Sequence, residues 1–198
     1  MQTIEHDFLK YDQYFITSDY KSTDPDIFFD TLKNILKSGV KLIQFRSKSL
    51  SQLEYASIAK KIFFICKQYN AMFIINDYLN YDNNKYCDGV QLTSSNLKIF
   101  DLNKMNKNLL LIGSCHNKTE VSICNKSLVN IILVSPVYDS GTKSGIGWNK
   151  FMNLKDFSIK PVYALGGLNY KKDIKIAKKY GASGIAGTSY FYSLFAPC

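Results

Sequence analysis

The pentapeptide Gln44-Phe45-Arg46-Ser47-Lys48 sets an amide, a guanidinium and an ammonium at alternate positions. At the end of an extended strand alternate side chains point to one side, so the three are expected to converge. Arg and Lys together can hold a phosphate or diphosphate, Arg by its fork and Lys as a point charge; the plainer alternative is a solvated basic strand end. Asn76-Asp77 follows the apolar Phe73-Ile74-Ile75. There a carboxylate could meet a hydrated Mg²⁺ bridging to substrate phosphates, although Asn-Asp after a strand is also ordinary turn chemistry. The run from Ser135 to Gly145 is polar and long enough to fold over a ligand, with Ser140, Thr142 and Lys143 supplying hydroxyls and an ammonium. It lacks the spacing of a P-loop and is otherwise a surface loop.

Gly166-Gly167 and Gly187-Thr188-Ser189 each follow a short apolar run. Glycine lets backbone N–H groups approach an anion closely, and two such turns in succession are more specific than one; the alternative is two tight turns. His116 is one of two histidines, the other being His6, and it could act as a general acid or base. A dyad with its neighbour Cys115 is rejected, because adjacent residues on an extended segment point in opposite directions. The sequence holds no metal-ligand cluster, Ser-His-Asp motif or dinucleotide fingerprint.

These groups need elements to carry them. Eight short apolar runs are predicted as strands: Tyr14 to Thr17, Val40 to Arg46, Met72 to Asn76, Gly89 to Leu92, Leu109 to Ser114, Val129 to Val134, Pro161 to Leu165 and Gly184 to Ala186. Several, such as Ile131-Ile132-Leu133-Val134, are apolar on both parities, which suits parallel strands covered on both faces. Between them Asp26 to Ser38, Ser51 to Tyr69 and Tyr170 to Tyr180 show helical spacing, and Ser38-Gly39 and Tyr180-Gly181 read as helix stops. Eight βα units predict a (β/α)8 TIM barrel, with an open doubly wound sheet as competitor. On a barrel the site lies at the carboxyl ends of the strands, where Gln44 to Lys48, Asn76-Asp77, Ser114-Cys115-His116, the Ser135 loop and both glycine turns all fall.

The 198 residues, 46% of them hydrophobic, suit one domain over residues 1–198, with residues 1–12 as an amino-terminal extension. The acidic start lacks the apolar core of a secretory signal, no run is long enough to span a membrane, and five cysteines without C-x-x-C spacing fit a reducing, cytoplasmic setting. The net charge of +9 is spread along helices rather than clustered, so it marks a solvated surface and not a nucleic-acid footprint. The expected partners are small phosphorylated molecules, without nucleic acid or membrane; a homodimer is left open.

Gln44-x-Arg46-x-Lys48, Ile75-Asn76-Asp77, Asp88-Gly89-Val90, Gly113-Ser114-x-His116, Ser135-Pro136-Val137-Tyr138 through Thr142-Lys143, Ala164-Leu165-Gly166-Gly167 and Gly181-Ala182-x-Gly184 resemble, in order and interval, the motifs of the thiamine-phosphate synthase family. The resemblance implies a barrel that joins hydroxymethylpyrimidine diphosphate to hydroxyethylthiazole phosphate with release of diphosphate. It implies that Gln44, Arg46, Lys48 and Asn76 hold the pyrimidine diphosphate, Asp77 the Mg²⁺, and Ser114 and Lys143 the departing diphosphate. Ser140 and Thr142 would contact the thiazole phosphate, with Gly167, Thr188 and Ser189 completing the cradle. One departure stands out: the family's Gly-x-His-x-Gly-Gln-Glu-Asp reads Gly89-Val90-Gln91-Leu92-Thr93-Ser94-Ser95-Asn96 here, so a second metal-binding Asp becomes Asn96. This stretch is similar to the synthase-like domain found fused to Nudix hydrolases. Two alternatives follow: an isomerase resembling thiazole tautomerase, with His116 moving the proton, and a non-catalytic module that binds a thiamine precursor.

Overall fold

The structure is a computed structural model, and it describes residues 7–20, 24–77, 86–99, 101 and 108–195. Eight strands run in chain order: β1 (Gln13–Ile16), β2 (Leu42–Phe45), β3 (Met72–Asn76), β4 (Gly89–Leu92), β5 (Leu110–Cys115), β6 (Ile131–Val134), β7 (Val162–Leu165) and β8 (Gly184–Gly187). Each pairs in parallel with the next, and β1 pairs with β8 through Tyr14 and Ala186, so the sheet closes into an eight-stranded barrel. That closure excludes the open sheet.

The two-sided apolar pattern of the strands becomes two cores. Residues of one parity, among them Tyr14, Leu42, Ile74, Leu110, Ile112, Ile131, Leu133 and Tyr163, form one buried cluster inside the barrel. Those of the other parity, such as Phe15, Ile43, Phe73, Ile132 and Val134, pack outward against the helices. Of the expected extension, residues 1–6, with His6, lie outside the described residues. Asp7–Lys10 form a short 3-10 helix whose Phe8 belongs to the interior cluster, and Tyr163 donates its hydroxyl to the Tyr11 carbonyl at the amino end of the barrel.

Among the described residues seven helices cover the outside: α1 (Pro25–Lys37), α2 (Gln52–Gln68), the single turn α3 (Asn96–Ile99), α4 (Lys118–Asn125), α5 (Gly147–Phe157), α6 (Tyr170–Lys179) and α7 (Ser189–Phe195). In α1, Asp24 caps the Asp26 N–H at 3.0 Å and Pro25 opens the first turn. Phe28, Leu32, Ile35 and Leu36 recur at helical spacing and are buried, contributing roughly 1.5–3 kcal/mol per side chain by area. The helix stops at Ser38 because Gly39 takes φ +98°, a conformation that side chains resist. Ser51 and Glu54 form a reciprocal capping box that starts α2 directly after the Arg46–Ser49 segment. No helix among the described residues is long and apolar enough to cross a membrane.

Candidate active site

At the carboxyl ends of the strands the inward parity turns polar, with Gln44, Asn76, Gln91, Ser114, Ser135 and Thr188 succeeding the apolar interior residues. A cavity of about 280 Å³ opens there, lined by Gln44, Arg46, Gln91, Ser135, Pro136, Ser140, Lys143, Gly166 and Thr188 among others. It shares Ser140, Gly166 and Thr188 with a second cavity of about 170 Å³, whose walls add Gly167, Gly187 and Ser189.

The floor is a hydrogen-bonded chain of side chains from four strands. Gln44 Nε2 donates to Tyr14 Oη at 2.8 Å and to Gln91 Oε1 at 2.5 Å, Tyr14 donates to Gln91 Oε1 at 3.1 Å, and Gln91 Nε2 donates to Ser114 Oγ at 3.1 Å. Gln44 is fully buried, yet its Oε1 accepts from no donor among the described residues. An orphaned acceptor of this kind costs about 1–3 kcal/mol, and a ligand donor in the cavity would relieve it. Burial pushes the Tyr14 phenol well above its ordinary range, so it remains a neutral donor at physiological pH. Tyr14 and Gln91 were not singled out as site residues from the sequence; the available signal was a lone glutamine in the otherwise apolar, wholly buried β4.

Arg46 and Lys143 reach the same cavity from opposite sides, and neither forms an ion pair with a described residue. Two unneutralised cations over a polar floor favour an anionic ligand. Lys143 sits on a hairpin closed by mutual backbone bonds with Ser140 at 3.0 and 3.1 Å. Asp139 accepts from the Gly145 N–H at 2.7 Å, and Trp148 donates to the Tyr138 hydroxyl at 2.8 Å, bracing the hairpin against α5. The loop after β7 packs against it without side chains between: Gly166 and Gly167 have φ +103° and +67°, and a Cβ on either would lie 2.6–2.7 Å from atoms of Pro136, Tyr138 or Asp139.

Asp77 closes the β3 end with φ +73°, and its N–H donates to the Gln91 carbonyl at 2.9 Å. The Asn96 side-chain amide donates to the Asp77 carboxylate, so the two residues expected at a metal do meet. Among the described residues no group of three His, Cys, Asp or Glu could hold a metal ion. One carboxylate beside amide oxygens is a hard donor set that fits Mg²⁺ when water and ligand oxygens supply the remaining positions. Asn76 pairs in register with Gln91, and its N–H donates to the Tyr55 hydroxyl at 3.2 Å, which in turn donates to the Phe45 carbonyl at 2.8 Å. Tyr55 of α2 thus ties together the ends of β2 and β3.

Seven expected residues line neither cavity: Ser114, bonded to Gln91 of the floor, Asn76, Asp77 and Asn96 at the ends of β3 and β4, and Lys48, Thr142 and His116. β2 ends at Phe45, so strand alternation does not carry to Lys48, which lines neither cavity. Thr142 is exposed at the hairpin tip and lines neither as well. His116 lies in a separate cleft of about 270 Å³ with Asn117, Lys118 and Lys150. Its Nδ1 is 2.6 Å from the Ser135 carbonyl, which only accepts, so Nδ1 carries the proton. Cys115 is buried 3.5 Å from Cys124 Sγ, and the hydrogen bond to Cys124 together with burial pushes its thiol far up, leaving no nucleophile beside His116.

The sequence profile of the family described as Thiamine monophosphate synthase matches residues 13–191. A protein of Aquifex aeolicus named putative thiamine-phosphate synthase 2 is 33% identical over 167 residues, 83% of this chain and 89% of that protein. The thiamine-phosphate synthase of Fusobacterium nucleatum is 29% identical over 185 residues, 91% of this chain and 89% of its own. Among solved structures, thiamine phosphate pyrophosphorylase from Pyrococcus furiosus superposes with a TM-score of 0.74 at 24% identity, over 91% of this chain and 86% of that one. With a profile match that runs from β1 to α7, this chain belongs to the thiamine monophosphate synthase family.

Proposed function

We propose that this chain is a thiamine-phosphate synthase, joining hydroxymethylpyrimidine diphosphate to hydroxyethylthiazole phosphate with release of diphosphate. The observation that carries the reading is the pair of unneutralised cations, Arg46 and Lys143, facing one cavity that continues into the glycine-lined cavity at Thr188 and Ser189. Two adjoining compartments suit two phosphorylated substrates. The diphosphate would lie between Arg46 and Lys143, with Ser114 and Asn76 at its edge. The thiazole phosphate would take the backbone N–H groups around Gly167, Thr188 and Ser189, with Ser140 where the cavities join. The buried Gln44 Oε1 would accept from an N–H of the pyrimidine.

In the reaction the carbon–oxygen bond to diphosphate breaks, the bonding electrons leave with the diphosphate, and the thiazole nitrogen donates its pair to the resulting pyrimidine-methyl cation. The chain's part is to hold charge rather than move protons. Arg46 and Lys143 stabilise negative charge as it grows on the leaving group. The floor donors, with Tyr14 held neutral, orient the ring without titrating near pH 7. Mg²⁺, held by Asp77 with Asn96 beside it, would neutralise part of the diphosphate charge. The place of His116 argues against the isomerase alternative, because it lines another cleft. The test is direct. Purified protein with both substrates and Mg²⁺ is expected to yield thiamine phosphate and diphosphate in equal amounts, and the absence of product over a range of metals and pH would overturn the reading.

A further inference from the structure

The backbone ladder between β1 and β2 ends at the Thr17 N–H bond to the Gln44 carbonyl, 2.9 Å long. Beyond it, residues 46–49 are held by side chains of the segment after β1. Thr17 Oγ1 accepts from the Arg46 N–H at 3.0 Å. Asp19 accepts from the Ser47 hydroxyl at 2.9 Å, from the Lys48 N–H at 3.3 Å and from the Ser49 hydroxyl at 2.5 Å, and the Tyr20 N–H donates to Ser47 Oγ at 3.4 Å. Ser47 is buried by this arrangement although Arg46 and Lys48 on either side are exposed. One half-buried carboxylate therefore gathers three consecutive residues into a bend immediately after Arg46.

We propose that Asp19 is a positioning residue, which fixes the Arg46 end of the loop so that the guanidinium is presented to the anion in the cavity. The proposal rests on the reading of Arg46 as a diphosphate ligand. Its physical interest lies in the sign. A carboxylate beside an anion subsite repels the ligand, so on Coulomb grounds alone its removal tightens binding. Positioning has the opposite effect: a guanidinium preordered by its backbone loses less freedom when the anion arrives, and releasing it weakens binding. The bonds that Asp19 receives from residues 46–49 come from hydroxyls and a backbone N–H rather than from the Arg46 or Lys48 side chains, so the carboxylate shapes the loop without neutralising its cations.

The test is a double-mutant cycle read by calorimetric titration of inorganic diphosphate with Mg²⁺, alongside the melting temperature of each variant. Asp19→Asn is expected to weaken diphosphate binding by about tenfold, and to have no further effect in an Arg46→Ala background, because coupled residues are not additive. Ser47→Ala/Ser49→Ala leaves the charge in place and removes two of its partners; it is expected to weaken binding in the same direction and serves if Asp19→Asn does not fold. Unchanged or tighter binding in Asp19→Asn, or an equal loss with and without Arg46, overturns the proposal, as does a lowered melting temperature at unchanged affinity. Failure of the wild type to bind diphosphate overturns it together with the assignment of Arg46. Failure to make thiamine phosphate while the cycle behaves as expected removes only the synthase reading.

Discussion

On the β2–β4 side of the mouth the polar groups are side chains held by other side chains: Gln44 by Tyr14 and Gln91, Asp77 by Asn96, and the Arg46 loop by Thr17 and Asp19. On the β6–β8 side, beside the side chains of Ser140, Lys143 and Thr188, the wall depends on Gly166 and Gly167 pressed against Pro136–Asp139. The first arrangement can exchange residues while keeping its shape, which is where this chain reads Gln91 and Asn96 in place of the His and Asp of the motif it resembles. The second cannot, because its geometry is the absence of side chains. Gly166→Ala should expose the contrast most strongly. Its Cβ would lie 2.6 and 2.7 Å from Pro136 Cβ and Cα at φ +103°, so a loss of roughly 2–4 kcal/mol is expected in urea unfolding, with synthase activity lost in step. A variant within about 0.5 kcal/mol of wild type would show that the two loops are not interlocked.

The cations should behave in the reverse manner. Arg46→Ala and Lys143→Ala each remove a charge that has no ionic partner among the described residues, so the fold should hardly notice: a change within about 0.5 kcal/mol is expected by denaturation. The value of kcat/KM should nevertheless fall by about 100-fold or more, the order expected for a lost charge-assisted contact to a leaving group. If either variant loses stability and activity together, the side-chain half is structural in the way the glycine half is.

Titration offers a third test of the side-chain half. Tyr14 and Tyr55 hold the side-chain half, and burial raises both phenols, Tyr55 despite the hydrogen bond from Asn76. Cys87 joins them, its thiol pushed up to about 12 from 9.0 by burial. The unfolded chain ionises these groups at their ordinary values while the folded chain keeps them neutral, so their stabilisation is complete below those values and is lost as pH rises through them. Unfolding free energy should therefore start to fall above about pH 9 with Cys87 and the other buried thiols, Cys66 and Cys115, and more steeply above about pH 10 with the tyrosines. Tyr55→Phe should cost about 1–2 kcal/mol at pH 7, where its bonds to Phe45 and Asn76 are lost, yet show a shallower decline above pH 10. A wild-type curve flat to pH 11 would refute this assignment of the buried groups.

The same two halves were unequally legible in the sequence. Runs such as Ile131 to Val134 disclosed strands packed on both faces, and every strand lies within two residues of its expected bounds. The Gly166-Gly167 turn was legible because a positive φ leaves its mark on residue type, whereas Gly187 closes β8 without one. The side-chain half was less so, since the direction of a polar group depends on where the strand stops. Alternation carried from Gln44 to Arg46, but the chain leaves the sheet after Phe45 and bends at Ser47 toward Asp19, so Lys48 is not aligned with them. His116 shares the inward parity of Ser114, yet β5 stops at Cys115 and Asn117 begins the cap of α4, which turns the imidazole into the side cleft. Gln91, a lone polar residue in a four-residue strand, reads the same whether it faces in or out. Short helices such as α4 and α7 were missed because 8 and 7 residues give too few turns for a periodic signal.

The smallest expected effect concerns Asn96, and it asks whether the side-chain half can be tuned without being broken. The Asn96 amide donates to the Asp77 carboxylate, so in the metal-free protein the pair is attractive and the carboxylate is satisfied. In Asn96→Asp the donor is gone and two carboxylates stand at hydrogen-bond distance. Like charges this close oppose joint ionisation, so the metal-free variant should be less stable at pH 8 than wild type and regain part of the difference as pH falls and one carboxyl takes a proton. A divalent cation reverses the sign, because each carboxylate becomes a ligand. Magnesium alone should therefore raise the melting temperature of Asn96→Asp while barely moving that of wild type, a readout that needs no substrate and no turnover. In the synthase assay the same variant should reach half-maximal rate at several-fold lower Mg²⁺, with kcat little changed, since the charge added acts on metal capture rather than on the departing group. Equal magnesium responses in the two proteins would place residue 96 away from the metal and leave Asp77 as the one protein carboxylate beside it.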